Sequence, residues 1–135
     1  MSLPILVREV MSPSVISVES SATVRDAAQV MIEREIGSVI VTEAGRPVGI
    51  MTERDVLRRV MVKGLDPTKT KVGEVMSSPL VTIKADAYIT DAGRLMSEKN
   101  IRRLLVVEDD RPVGVVTEKD LLRAFNKYLT VGLRT

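Results

Sequence analysis

The sequence predicts an α+β fold of the α/β type, in which two β-α-β-β-α repeats pack sheet to sheet with pseudo-twofold symmetry. Two observations support this prediction. The chain of 135 residues aligns with itself without a gap at an offset of 65 positions, and each half shows the same order of strand and helix patterns. A unit of about 50 residues buries little apolar surface on its own, which favours two copies that share a core.

The repeat is clearest near the end of each copy. "RPVGIMTERDVLR", Arg46 to Arg58, falls on "RPVGVVTEKDLLR", Arg111 to Arg123. The Met-Ser pair at positions 11 and 12 likewise recurs at positions 76 and 77. We therefore predict a first repeat at 7–62, a linker at 63–71, a second repeat at 72–129 and a loose tail at 130–135.

Each copy is expected to begin with a short strand and a helix. The β-rich segments are Ser14 to Val18 and Pro79 to Ile83. Apolar residues then recur at helical spacing, and in the first copy Thr23 is the predicted N-cap with Asp26 three positions later. Tyr88 replaces the capping Thr in the second copy, so the second helix must start differently.

The rest of each copy is predicted as two strands and a helix. "SVIVTE" and "RLLVVE" are typical of buried strands, and "AGRP" and "DDRP" are typical of turns. "VGIMT" and "VGVVT" are predicted strands that run directly into the helices "ERDVLRRVMV" and "EKDLLRAFNKYL". The segment "KGLDPTKTK", with its Gly, Pro and two Thr, is the predicted linker.

Composition narrows the function classes. The net charge of +2 and the 2% of aromatic residues argue against a nucleic-acid platform. The absence of Cys and His removes disulfides, thiolate nucleophiles and nearly every zinc, haem or iron–sulfur site. No catalytic constellation or P-loop is present, so we expect neither an enzyme nor a metal protein. The N-terminus resembles no targeting signal and no run approaches the roughly 18 residues of a membrane span, which predicts a cytoplasmic protein.

The T-x-x-D motif that follows each "VGIMT" or "VGVVT" strand has a structural interpretation. Thr52 with Asp55, and Thr117 with Asp120, have the spacing of a helix-capping pair. In such a pair each side chain bonds the other residue's backbone N–H and contributes about 1 kcal/mol.

Three features favour a ligand site as well. Gly49 and Gly114 interrupt β-branched strands, which indicates a bend or a close approach. Arg54 and Lys119 place a positive charge at the first turn of a helix, where it opposes the helix dipole but suits a phosphate. An Asp at this point can accept hydrogen bonds from the adjacent hydroxyls of a ribose. Together they predict a small nucleotide in a largely aliphatic pocket.

These motifs give the chain its resemblance to a known family. The tandem unit that opens with "VMS" and closes with "PVGIMTERD" or "PVGVVTEKD" resembles a pair of cystathionine β-synthase (CBS) domains from about residue 7 to 129. The resemblance implies two clefts between the repeats that hold adenosine-containing ligands such as AMP, ADP, ATP or S-adenosylmethionine. It also implies that the closing helices pair two modules into a flat homodimer, through Val56, Leu57, Val60, Met61, Leu121, Leu122 and Phe125.

The resemblance also implies the site residues. Ribose would be held by the Thr and Asp of each motif and phosphate by the basic residue between them. These residues are Thr52, Arg54 and Asp55 in one cleft and Thr117, Lys119 and Asp120 in the other. Further contacts would come from the start of the second strand and from the opening segments 12–16 and 77–81. These residues are Ile36, Gly37, Ser38, Ile101, Arg102, Arg103, Ser12, Ile16, Ser77 and Val81.

The two copies differ where Arg102 and Arg103 replace Gly37 and Ser38, so the second copy has the greater capacity for phosphate. We therefore favour the Asp120 cleft for a charged nucleotide; the alternative is that Arg102 and Arg103 form a solvated strand start.

The expected function is a non-enzymatic regulatory module that needs no cofactor, binds an adenosine ligand and signals to an effector protein in trans. Two alternatives remain, an empty dimerisation scaffold and a nucleic-acid-binding regulator that uses Arg102, Arg103, Arg58 and Arg59. If the protein does not bind nucleic acid, Arg58 and Arg59 are interpreted as part of a solvated helix face.

Overall fold

The described residues form two compact units. The computed structural model describes residues 5–134, with side chains up to Leu129. The continuous unit runs from Ile16 to Leu80, and the split unit combines the described residues up to Val15 with those from Val81 onward. Each unit is organised around its own three-stranded sheet.

In the continuous unit, the parallel pair β1–β2 is extended by the antiparallel strand β3. A parallel pair needs a crossover, and helix α1 provides it between β1 and β2. The elements in chain order are β1 Ser17–Glu19, α1 Val24–Arg34, β2 Ser38–Glu43, β3 Arg46–Thr52, α2 Glu53–Val56, a π-helical turn Leu57–Met61 and α3 Val72–Val75.

The split unit has the same topology. Strand β4 is parallel to β5, and β5 is antiparallel to β6. The elements are a 3-10 turn Val7–Glu9, β4 Thr82–Lys84, α4 Ile89–Lys99, β5 Arg103–Glu108, β6 Arg111–Thr117 and α5 Glu118–Arg134. The predicted α+β class with two repeated sheets is confirmed, although the first strand of each repeat is shorter and begins later than predicted.

Each sheet covers a core made of its own unit's residues. Alternating strand residues and one face of the helix supply these side chains. The continuous unit buries Val24, Ala27, Met31, Val39, Val41, Met51, Val60, Val72 and Val75, and the split unit buries Val7, Ile83, Ala85, Ile89, Ala92, Met96, Leu104, Val106, Val116 and Leu121.

Local signals in the sequence account for most of the element boundaries. Thr23 Oγ1 accepts a hydrogen bond from Asp26 N at 3.1 Å, as a capping Thr should. The second long helix does begin differently, because at Tyr88 only the backbone N–H takes part and it donates to Asp91 Oδ2 at 3.0 Å. The hairpin turns at 44–45 and 109–110 have positive φ at both positions, the geometry that a two-residue antiparallel connection needs.

The predicted linker is an ordered turn. Asp66 Oδ1 accepts hydrogen bonds from the backbone N–H and the hydroxyl of Thr68, and the same bonds lower the pKa of Asp66. Arg25 N donates to Pro67 O at 3.0 Å, which attaches the linker to the start of α1. At the other end of the chain, α5 continues through most of the predicted tail to Arg134, and Thr135 lies outside the described residues.

The opening segment of each copy joins the unit that contains the other copy's sheet. Ser12 exchanges two backbone hydrogen bonds with Val115 on β6, and Ser77 exchanges two with Ile50 on β3. The compact units and the predicted sequence repeats therefore differ by an exchange of these short segments.

This exchange explains the two strand glycines. A Cβ on Gly49 would lie 2.8 Å from Ser77 O, and a Cβ on Gly114 would lie 2.5 Å from Ser12 O. The predicted close approach is confirmed, but the approaching group is the chain's own opening segment. These glycines therefore give no support for a ligand.

Gly114→Ala should destabilise the fold because the new methyl group meets backbone. We expect a loss of about 1–3 kcal/mol in the free energy of unfolding, measured by urea denaturation. Gly93→Ala is the matched control, because a Cβ there lies an ordinary 3.7 Å from a Leu121 methyl carbon and Ala favours the interior of α4. Equal stability of the two variants would contradict the proposed close approach.

Candidate functional site

Both T-x-x-D motifs form helix caps. Thr52 N donates to Asp55 Oδ2 at 2.9 Å, and Asp55 N donates to Thr52 Oγ1 at 3.1 Å. The second copy repeats this pair of bonds, from Thr117 N to Asp120 Oδ2 at 2.9 Å and from Asp120 N to Thr117 Oγ1 at 3.2 Å. The structural interpretation of the motif is therefore correct in both copies, and a ligand site has to be argued from other contacts.

In the continuous unit the carboxylate of Asp55 is bonded on both oxygens. Oδ2 also accepts the hydroxyl of Thr52 at 3.1 Å, and Oδ1 accepts the hydroxyl of Ser77 at 3.0 Å. The guanidinium of Arg59 lies close to the same oxygen, with Nε at 3.8 Å from Oδ1. Only 7% of Asp55 is exposed, so its neighbours within the chain meet most of its hydrogen-bonding capacity.

Arg59 also binds the opening segment of the second copy. Its Nη1 donates to Val75 O at 3.1 Å and to Met76 O at 2.8 Å. The expectation of a solvated Arg59 is therefore wrong, because the side chain is 45% exposed yet holds two carbonyl oxygens and faces a carboxylate.

The carboxylate of Asp120, in the split unit, has far fewer partners. Oδ2 accepts the Thr117 backbone N–H, and Oδ1 faces Arg123 Nη1 at 3.6 Å. The Arg123 side chain is 74% exposed, so this ion pair is weak. Ser12, the counterpart of Ser77, is exposed, and within residues 5–129 its hydroxyl makes no hydrogen bond to Asp120. One oxygen of Asp120 is therefore open to an incoming hydroxyl group.

The split unit brings the predicted basic residues to the same place. Glu118 N donates to Arg102 O at 2.9 Å, which fixes the start of β5 against the start of α5. Arg103 pairs with Thr117 across the two strands. Arg102 and Lys119 are exposed and Arg103 is half-buried, so three cationic residues lie where the start of β5 meets the first turn of α5.

The corresponding part of the continuous unit has less charge. Gly37 O accepts a hydrogen bond from Glu53 N at 3.0 Å, and Ser38 pairs with Thr52 across β2 and β3. Arg54 is exposed beside them and is the basic residue that was predicted to contact phosphate.

The apolar residues of the predicted site have a structural role. Ile16 and Ile36 are half-buried and pack on the core of the continuous unit, while Val81 and Ile101 pack on the core of the split unit. Their side chains are therefore partly committed to packing.

Sequence reasoning missed the role of Arg59. The signal was present, since Arg59 falls on Ala124 at the repeat offset of 65 positions while the neighbouring Arg58 falls on Arg123. A cation in one copy without a counterpart in the other, four positions after Asp55, indicates that the two motifs have different environments.

The described residues contain no group of three or more Asp or Glu side chains arranged to hold a metal ion. None of the helices in the described part of the chain is both long enough and apolar enough to cross a membrane.

Comparison with known proteins places the chain in a family. The family model described as "CBS domain" matches residues 7–62 and again residues 72–127. The CBS domain-containing protein YhcV of Bacillus subtilis is 36% identical over 115 residues, which cover 85% of this chain and 81% of that protein. An uncharacterised protein of Methanopyrus kandleri is 39% identical over 119 residues, which cover 87% of this chain but only 61% of that relative.

Solved structures agree with the family match. The hexameric CBS-CP12 protein from bloom-forming cyanobacteria superimposes with a TM-score of 0.84 at 30% identity, over 90% of this chain and 68% of that one. Two matches to the family model and the repeated three-stranded sheets lead to one conclusion. The chain belongs to the CBS-domain family, as a regulatory module of two tandem CBS domains.

Proposed function

We propose that this module binds an adenosine-containing nucleotide at the Asp120 motif and passes the binding signal to a partner protein. The observation that carries the proposal is the environment of the Asp120 carboxylate. The side chain is only 15% exposed, yet one of its oxygens faces nothing stronger than a solvent-exposed arginine. A carboxylate of this kind gains stability when a ligand supplies hydrogen-bond donors.

The ribose of a nucleotide matches this requirement. Its adjacent hydroxyl groups are two donors, and a carboxylate has about four acceptor positions, so Asp120 can accept both hydroxyls and keep its bond to Thr117 N. The hydroxyl of Thr117 accepts from Asp120 N, so its proton remains available for a third bond to the ligand.

The charges around the motif favour a phosphorylated ligand. Lys119 lies between Thr117 and Asp120, and the guanidinium groups of Arg102 and Arg103 come from the adjacent strand end. Arginine matches phosphate geometry with paired donors, while lysine adds a point charge. AMP, ADP and ATP are therefore favoured over S-adenosylmethionine, whose sulfonium centre adds positive charge to a site that is already cationic.

The regulatory step requires a difference in affinity between two states of the protein. A nucleotide can change the equilibrium between two arrangements only by the difference in its binding free energy to each. We propose that the effector is a separate partner protein, which responds to the nucleotide-bound state.

We propose further that the module forms a homodimer. Leu57, Met61, Leu122 and Phe125 remain exposed on the closing helices, whereas Val60 and Leu121, also predicted for the interface, are buried in the cores. Exposed leucine, methionine and phenylalanine side chains on a helix are suited to association. The solved CBS-CP12 relative is described as hexameric, which supports self-association in this fold.

Two alternative functions predict different results in binding experiments. An empty dimerisation scaffold would show no response to any nucleotide. A nucleic-acid-binding regulator would show salt-dependent binding, with a slope set by the number of phosphates that it neutralises. The net charge of +2 and the use of Arg59 inside the fold weigh against the second.

Asp120→Ala should abolish thermal stabilisation by the nucleotide. In a thermal-shift panel of AMP, ADP, ATP, S-adenosylmethionine, NAD and GTP, a ligand at about 100 times its Kd should stabilise the wild type by roughly 2.7 kcal/mol, a shift of several degrees. Asp91→Ala is the matched control, since it removes a capping carboxylate of the same unit at α4. Absence of any shift in nucleotide-free wild type would contradict the proposal and favour the scaffold.

Without ligand, Asp55→Ala should lower the stability of the fold more than Asp120→Ala. Asp55 has four donors around its oxygens, and removing it leaves the Ser77 hydroxyl and the Arg59 guanidinium without their anion. We expect a difference of about 1–2 kcal/mol between the two variants in urea denaturation. A larger loss for Asp120→Ala would mean that Asp120 has strong partners and no spare capacity.

Leu122→Glu should convert the dimer to a monomer, because it places a charge on the exposed apolar face of α5. Sedimentation velocity would show the change in mass. Ile32→Glu is the control, since Ile32 is 73% exposed but lies on α1. A dimer that persists in the Leu122 variant would exclude this face as the interface.

A further inference from the structure

We infer that Arg59 and Ser77 hold the Asp55 motif closed, so that the protein binds one nucleotide per chain, at Asp120. The inference rests on the proposed function, because it assigns different capacities to two motifs of the same sequence pattern. It makes Arg59 and Ser77 the residues that determine the stoichiometry of binding.

The closure consists of side chains that occupy the acceptor positions of Asp55. Ser77 Oγ donates to Oδ1 at 3.0 Å, and the Thr52 hydroxyl and backbone N–H both donate to Oδ2. Arg59 Nε lies 3.8 Å from Oδ1. A ribose would have to displace at least Ser77 and the guanidinium before its two hydroxyls could bond to this carboxylate.

The arginine is held in place at its other end. Its Nη1 donates to Val75 O and Met76 O, the carbonyl groups directly before Ser77. Arg59 therefore joins the carboxylate to the backbone of the opening segment, and moving it breaks contacts at both ends. Because these bonds involve a charged donor, they are stronger than neutral ones.

The split unit lacks this arrangement at the corresponding positions. Ala124 stands where the continuous unit has Arg59. Ser12 is exposed, whereas Ser77 is half-buried, and Thr117 Oγ1 only accepts a bond, whereas Thr52 Oγ1 also donates one to its Asp. The same motif is thus closed in one unit and open in the other because of residues outside the motif.

The helix geometry differs at the same point. Arg59 lies within the π-helical turn Leu57–Met61, where Val62 N donates to Leu57 O at 2.9 Å, five residues back. The corresponding residues of the split unit lie in the α-helix α5. π-Helical turns are rare and are often found at functional positions. The turn at Leu57–Met61 fits a functional role for the contact between Arg59 and Asp55.

The test is the number of AMP molecules bound by the full chain. Equilibrium dialysis with radiolabelled AMP, at about a hundred times the Kd of the first site, should give one equivalent for the wild type. Arg59→Ala combined with Ser77→Ala should give two, and Asp55→Ala in the same background should return the value to one. Arg58→Ala is the matched control and should remain at one equivalent, since Arg58 is the adjacent exposed arginine.

Any other outcome contradicts the inference. Two equivalents for the wild type would show that the Asp55 motif is open, and one equivalent for the folded double variant would show that Arg59 and Ser77 do not close it. If circular dichroism shows that the double variant does not fold, Arg59→Gln with Ser77→Ala replaces it, and a value that stays at one again overturns the closure. If no variant binds AMP or, in parallel dialysis, ATP, the proposed function fails and this inference fails with it.

Discussion

The pairing of each opening segment with the last strand of a sheet is the contact on which both motifs depend. Ser12 with Val115, and Ser77 with Ile50, add a short antiparallel bridge to the edges of β6 and β3. The bridge requires glycine at 49 and 114, because a methyl group there would meet a carbonyl oxygen at 2.8 or 2.5 Å. In the continuous unit it also brings Ser77 to within hydrogen-bonding distance of Asp55.

This placement gives the capping carboxylates a second possible role. A helix-capping Asp normally uses one oxygen for the backbone and leaves the other to solvent. Here both carboxylates are largely buried, with side chains 10% and 15% exposed, so the hydrogen bonding of the second oxygen is energetically important. In the continuous unit Ser77 and Arg59 provide the bonds, and in the split unit the partner is a solvent-exposed Arg123.

The asymmetry between the units gives the same sequence motif two different environments. The motif, the hairpin turns and the sheet registers are the same in both units. The differences lie at Arg59 against Ala124, and at Gly37 and Ser38 against Arg102 and Arg103. The first pair sets how many partners the carboxylate has, and the second sets the charge beside it, so both differences favour the Asp120 motif for an anionic nucleotide.

The repeat, the order of strands and helices, and the capping role of Thr52, Asp55, Thr117 and Asp120 follow from the amino-acid sequence, because local hydrogen bonding and side-chain periodicity decide those features. The exchange of the opening segments between units and the bonds from Arg59 to Val75 and Met76 depend on the tertiary structure. Val75 and Met76 lie 16 and 17 positions from Arg59 along the chain, so only the packing of the backbone brings these groups together, whereas Asp55 lies four positions from Arg59 on the same helical segment.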